Sequence, residues 1–151
     1  MMKKILCVNN DESVRELLRI ILMRAGYECI EITSSQKALV ILQTQTIDLI
    51  IQNLCRPGMD GCEFYNRIQQ EQYIAAIPML IITPLHPMDL PAPCQPLVTT
   101  LYPHNFVSMP FCPQTIITKI QSLLKPKSKS AHGASSPSPS PGVSLKMACL
   151  C

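Results

Sequence analysis

IDLIIQNLCRPGMDGCEF, residues 47–64, decides how the chain folds. Ile47–Gln52 is almost continuously apolar, which suits a strand covered on both faces. The run stops at two amides, Gln52 and Asn53. Pro57-Gly58 and Asp60-Gly61 then mark a tight turn, since each pair supplies turn-forming residues. Cys62–Gln72 reads as a helix. A buried strand therefore feeds a turn and a helix, and it ends on the neutral side chain of Asn53.

Working outward, the same alternation continues in both directions. Residues 3–8 form a short apolar strand. Residues 12–25 space Val14, Leu17, Leu18, Ile21 and Leu22 as one helix face, with Asp11 as N-cap and Gly26 as stop. Tyr27–Thr33 is a second strand. Ser34 or Ser35 caps a second helix carried by Ala38, Leu39, Ile41 and Leu42. Beyond the central stretch, Met79–Ile82 and Asn105–Met109 read as the fourth and fifth strands, and Gln114–Leu124 as the last helix. Strands alternating with helices imply a parallel sheet with helices on both faces. In such sheets function gathers at the carboxyl ends of the strands. Here those ends carry Asn9-Asn10, Asn53, Thr83 and Met109.

Six prolines interrupt residues 84–103, at 84, 87, 91, 93, 96 and 103. Proline inside a helix costs roughly 3 kcal/mol. The fourth helix is therefore expected to be absent or reduced to a turn, replaced by an irregular Pro-rich connection. Residues 125–151 are rich in Lys, Ser and Pro, without apolar spacing, and are expected to be a disordered tail on a domain spanning 1–124. The closing Cys149-Leu150-Cys151 resembles a CxC prenylation signal, and thiol reactivity of a loose tail, or no role, is expected in its place.

The formal net charge of +3 divides unevenly. Nine basic and ten acidic residues leave 1–124 at −1, whereas four lysines and no acid put 125–151 at +4. The body thus gives no electrostatic case for nucleic-acid binding. No apolar run approaches the roughly 18 residues of a membrane span, and the four-residue apolar start is short for a signal peptide. These features point to a cytoplasmic protein. The eight cysteines form no CxxC and have no zinc-spaced His, so they are expected to be reduced thiols.

KKILCVNNDESVRELLRIIL (3–22) and the central stretch, supported by IPMLIIT (77–83) and FVSMPF (106–111), resemble the receiver domain of two-component response regulators, the CheY-like family. The resemblance covers about residues 3–124 and implies a three-layer α/β/α fold with strand order 2-1-3-4-5. It also implies a phosphoryl-accepting Asp at the third strand's end and a Mg²⁺-holding acidic pair at the first. A hydroxyl ends the fourth strand, and a Lys ends the fifth before a cis proline. The matching positions here are Asn53, Asn9 with Asn10, Thr83, Met109 and Pro110. Only the hydroxyl survives among the reacting groups.

A carboxylate can carry an acyl phosphate, whereas an amide is a poor nucleophile. Mg²⁺ usually needs one or two carboxylates. Removing one unit charge at 4 Å forfeits roughly 4 kcal/mol of gross attraction at an effective dielectric of ~20. The resemblance with these losses implies no enzymatic activity, no Mg²⁺ and no other cofactor. It implies a phosphorylation-independent module that binds a signalling partner, a histidine kinase or another regulator, or a second copy in a weak homodimer. Residues 84–103, with Leu90 and Leu97 as partner contacts, and the last helix form the expected surface. Two alternatives stand beside it. One is conventional phosphorelay with a divergent site. The other is a thiol-based switch using Cys55 and Cys112, which flank the strand ends in sequence.

Overall fold

The structure is a computed structural model that describes residues 2–54 and 60–125. The Pro57-Gly58 turn, Cys55 and the expected disordered tail from residue 126 onward lie outside the described residues. The strands are β1 (Lys4–Val8), β2 (Glu28–Ile32), β3 (Leu49–Asn53), β4 (Met79–Thr83) and β5 (Phe106–Ser108). The helices are α1 (Glu12–Arg24), α2 (Ser35–Thr44), α3 (Asp60–Ile68), α4 (Gln72–Ala75), α5 (Gln95–Leu101) and α6 (Pro113–Leu124). All strand pairs are parallel and the sheet order is β2-β1-β3-β4-β5. This is the order that the resemblance implies, on the parallel sheet that the alternation implies.

Local chemistry explains the helix ends. Asp11 accepts a hydrogen bond from Val14 N, and Ser34 accepts one from Lys37 N, so each caps an otherwise orphaned helix start. Gly26 has φ 91°, the left-handed conformation that ends α1 and that other residues rarely adopt. Successive strand residues then face opposite sides. Leu6, Val8, Ile50 and Ile81 meet Phe64, Ile68 and Leu97 on the α2–α3–α5 side. Ile5, Cys7, Leu49, Ile51 and Leu80 meet Leu18, Leu22, Ile116 and Ile120 on the α1–α6 side. Among the described residues, no helix is long and apolar enough to cross a membrane.

The Pro-rich region corrects one expectation. Residues 84–94 are irregular apart from two 3₁₀ turns, Pro87–Asp89 and Ala92–Cys94. A regular helix, α5, nevertheless follows directly. Pro96 falls in its first turn, where the missing N–H has no intrahelical acceptor to satisfy. No proline then intervenes before Pro103. The helix expected to be absent or reduced to a turn is thus present as the seven-residue α5, at the C-terminal end of the Pro-rich stretch. Its burial corrects a second point. Leu90 and Leu97, read from sequence as partner contacts, are 5% and 0% exposed and belong to the core.

A third correction concerns sulfur. Cys62 on α3 and Cys94 in the second 3₁₀ turn form a disulfide across 32 residues of sequence. The expectation that all cysteines are reduced thiols fails at this pair, because folding brings two buried sulfurs together that share no sequence motif.

Candidate functional site

Sheet register assembles the site. Val8 pairs with Gln52, and Asn53 pairs with Ile82, so the residues just past β1 and β4 flank the end of β3. Asn9 is buried there. Its Oδ1 accepts from Asn53 Nδ2 at 3.0 Å and from the backbone N–H of Asp11 at 2.7 Å. The Arg15 guanidinium donates to the Asn9 carbonyl oxygen at 3.2 Å and pairs with Glu31 at 3.4 Å. The two neutral side chains are thus locked to each other and to the start of α1.

Asn10 is exposed at the rim. Thr83 is buried, and its hydroxyl is engaged on both sides. It donates to Leu54 O at 2.6 Å and accepts from Leu85 N at 3.0 Å. That hydroxyl ties the end of β4 to the residue after β3. Met109 is half-buried among the apolar residues of the α1–α6 side, and its N–H continues the ladder by bonding Thr83 O at 2.9 Å. The Met109–Pro110 bond is cis, as is Tyr102–Pro103.

A crevice of about 980 Å³ opens at the ends of β1 and β3, walled by α2 and α3. Asn9, Asn10 and Asn53 line it, whereas Thr83 and Met109 do not. Its floor also holds Gln52, a residue that sequence reasoning leaves out of the site. Gln52 is buried, and its Nε2 donates to Asn53 O at 3.2 Å. The signal is present in the chain: a buried strand ending on two amides in succession. Among the described residues, Asn9 Nδ2, Gln52 Oε1 and Asn53 Oδ1 are buried without a hydrogen-bond partner. The floor of the crevice is therefore amide-rich and uncharged, and Glu63 and Arg67 at its edge are exposed.

The cysteines fall elsewhere. Cys112 is the residue before α6 and does not line the crevice. Cys7 and Cys29, on neighbouring strands, bring their sulfurs to 3.5 Å. The hydrogen bond from Cys7 lowers the Cys29 pKa below its ordinary value, against the effect of partial burial. That same bond and full burial push the Cys7 thiol well up. Thiolate is the reactive form. Timed labelling with iodoacetamide at neutral pH is expected to modify Cys29 well before Cys7. Equal rates at the two sites would contradict this ordering.

The response regulator receiver domain family matches residues 5–95. The chain belongs to this family. It is 27% identical over 123 residues to the phosphate regulon transcriptional regulatory protein PhoB of Pseudomonas aeruginosa, covering 82% of this chain and 52% of that one. It is 29% identical over 126 residues to the alkaline phosphatase synthesis transcriptional regulatory protein PhoP of Bacillus subtilis, covering 83% and 50%. The chain thus spans about half the length of these curated relatives. Among solved structures, the chemotaxis response regulator CheY4 of Vibrio cholerae superposes with a TM-score of 0.69 at 26% identity, covering 82% of this chain and all of that one. The domain is a receiver domain of two-component signalling.

Proposed function

We propose that this receiver domain has given up phosphoryl transfer and acts, without a cofactor, as a phosphorylation-independent protein-interaction module. The observation that carries this is the Asn53–Asn9 hydrogen bond at the strand ends, where the family resemblance calls for carboxylates. An amide at Asn53 offers no anionic oxygen to form an acyl phosphate. The donor set fits Mg²⁺ poorly for the same reason. Asn9 Oδ1 already accepts two hydrogen bonds, and the nearest carboxylate in sequence, Asp11, accepts from Val14 N as the cap of α1. The Thr83 hydroxyl donates to Leu54 O and has no proton left for a phosphoryl oxygen.

The partner surface in this reading is the exposed side of the Pro-rich segment, together with α6. Met88 is 81% exposed there and offers an apolar contact. A histidine kinase or another regulator of two-component signalling is the partner class, and cytoplasmic residence belongs to the same reading.

Incubation with acetyl phosphate and Mg²⁺, followed by intact-mass spectrometry, is expected to show no phosphoryl adduct. Millimolar Mg²⁺ is expected to move the melting temperature by no more than about 1 °C, since a ligand stabilises only what it binds. An adduct mapped to the β3 end would end the proposal, as would a Mg²⁺ shift of several degrees.

A further inference from the structure

The Pro-rich segment is poorly held by its backbone. Pro84, Pro87, Pro91 and Pro93 have no N–H to donate. The remaining backbone donors mostly turn back on the segment itself: Asp89 N to His86 O, Leu90 N to Pro87 O and Cys94 N to Pro91 O. Met88 N likewise bonds the His86 ring. Leu85 N is fixed at the root of the segment by Thr83 Oγ1. Beyond that root, two hydrogen bonds among the described residues connect 85–94 to other elements: Asn66 Nδ2 on α3 donates to Pro93 O at 3.3 Å, and Gln95 N at the start of α5 donates to Ala92 O. Noncovalent attachment otherwise rests on the buried side chains of Pro87, Leu90 and Cys94 and on partly buried Leu85, which packs against the core. The covalent tether among the described residues, Cys62–Cys94, lands on the same helix as the Asn66 bond.

We propose that this disulfide is a redox latch that holds residues 85–94 on α3, and that its reduction by a thiol reductant releases the segment while the sheet stays intact. A reductant thiolate attacks one bridge sulfur, forming a mixed disulfide and expelling the other as a thiolate. A second reductant thiol then displaces the protein sulfur. The bridge takes up two electrons and two protons to become the Cys62 and Cys94 thiols, and the reductant leaves as its disulfide. Both sulfurs are buried, Cys62 1% and Cys94 0% exposed, so attack follows opening of the segment, and closure protects the bridge. The consequence for signalling rests on the proposed partner face, because Met88 lies within the latched segment. The release itself does not depend on a partner.

Hydrogen–deuterium exchange of the full chain, oxidised and then reduced with dithiothreitol, tests the latch. Reduction is expected to speed exchange of the 85–94 amides by at least about tenfold more than that of β1, β3 and β4, whose protection falls only by the stability common to the whole domain. A Cys62→Ala/Cys94→Ala double variant is expected to exchange like the reduced protein and to ignore dithiothreitol. Unchanged exchange at 85–94 after mass spectrometry confirms reduction would overturn the latch. So would a gain in exchange at 85–94 no larger than that across the sheet, which would make the bridge a global stabiliser only. Absence of kinase capture by either redox form would count against the partner face, and exchange would still decide the latch.

Discussion

Replacing Leu97 by Asp is expected to unfold the domain. Leu97 is fully buried, packed with Phe64, Ile68 and Leu90 in the apolar layer over the α2–α3–α5 side of the sheet. Removing a buried leucine costs about 2–5 kcal/mol. Burying an unpaired carboxylate adds several more, or forces it to protonate. The total is on the order of 5 kcal/mol or above, against a whole-domain stability of about 5–15 kcal/mol. Met88→Asp, in the neighbouring 3₁₀ turn but on the exposed side, is expected to change stability by less than about 0.5 kcal/mol. Urea denaturation of the two variants decides between a core-anchored segment and a free surface. If Leu97→Asp unfolded at the same urea concentration as the parent, α5 would not be packed on the core.

Reducing the Cys62–Cys94 bridge has the next largest effect. A crosslink spanning 32 residues restricts the unfolded chain, and the loop-entropy argument assigns it about 3–4 kcal/mol. For a domain of this size that corresponds to a fall in melting temperature of roughly 10–15 °C. Scanning calorimetry with and without dithiothreitol measures it. The Cys62→Ala/Cys94→Ala variant separates the crosslink from incidental thiol effects, since its melting should not respond to reductant. Matching transitions for oxidised and verified-reduced protein would show that the bridge contributes nothing. The stability change and the local release of residues 85–94 are separate quantities. The first reads the unfolded ensemble and the second reads opening within the native state.

Both effects arise in the region least legible in the sequence. Its prolines conceal helical periodicity, because a helix that begins at the edge of a Pro-rich run leaves little pattern to read. Leu90 and Leu97 resemble surface residues in such company. Only the packing of the segment against the sheet and α3 makes them core. The reactive end of the sheet is more legible. Asn9, Asn10, Asn53 and Met109 follow from strand ends and a family pattern, both local in sequence. Gln52 escapes that reading because the family pattern assigns one position at the end of β3, and Asn53 fills it.

The Asn53→Asp variant illustrates how a legible residue acquires its meaning from neighbours. The sequence alone marks the missing carboxylate. The structure adds that Asn53 Nδ2 is the donor to Asn9 Oδ1, so an aspartate would set an anion against an oxygen that is already an acceptor. In the proposed reading, restoring one charge is not expected to restore phosphoryl transfer. It would break the amide pair, and the position that the resemblance assigns to a cation would still hold Met109.

By itself, then, the sequence determined the five strands, the parallel sheet and the neutral side chains at its carboxyl end. Apolar period, caps and turn residues act over a few neighbours and can be read along the chain. Tertiary structure alone decided that the Thr83 hydroxyl donates to Leu54, that Leu90 and Leu97 are interior, and that Cys62 meets Cys94. Each of those facts joins residues that are distant in sequence or set by packing. Such contacts depend on where whole elements come to rest, and no local pattern encodes that position.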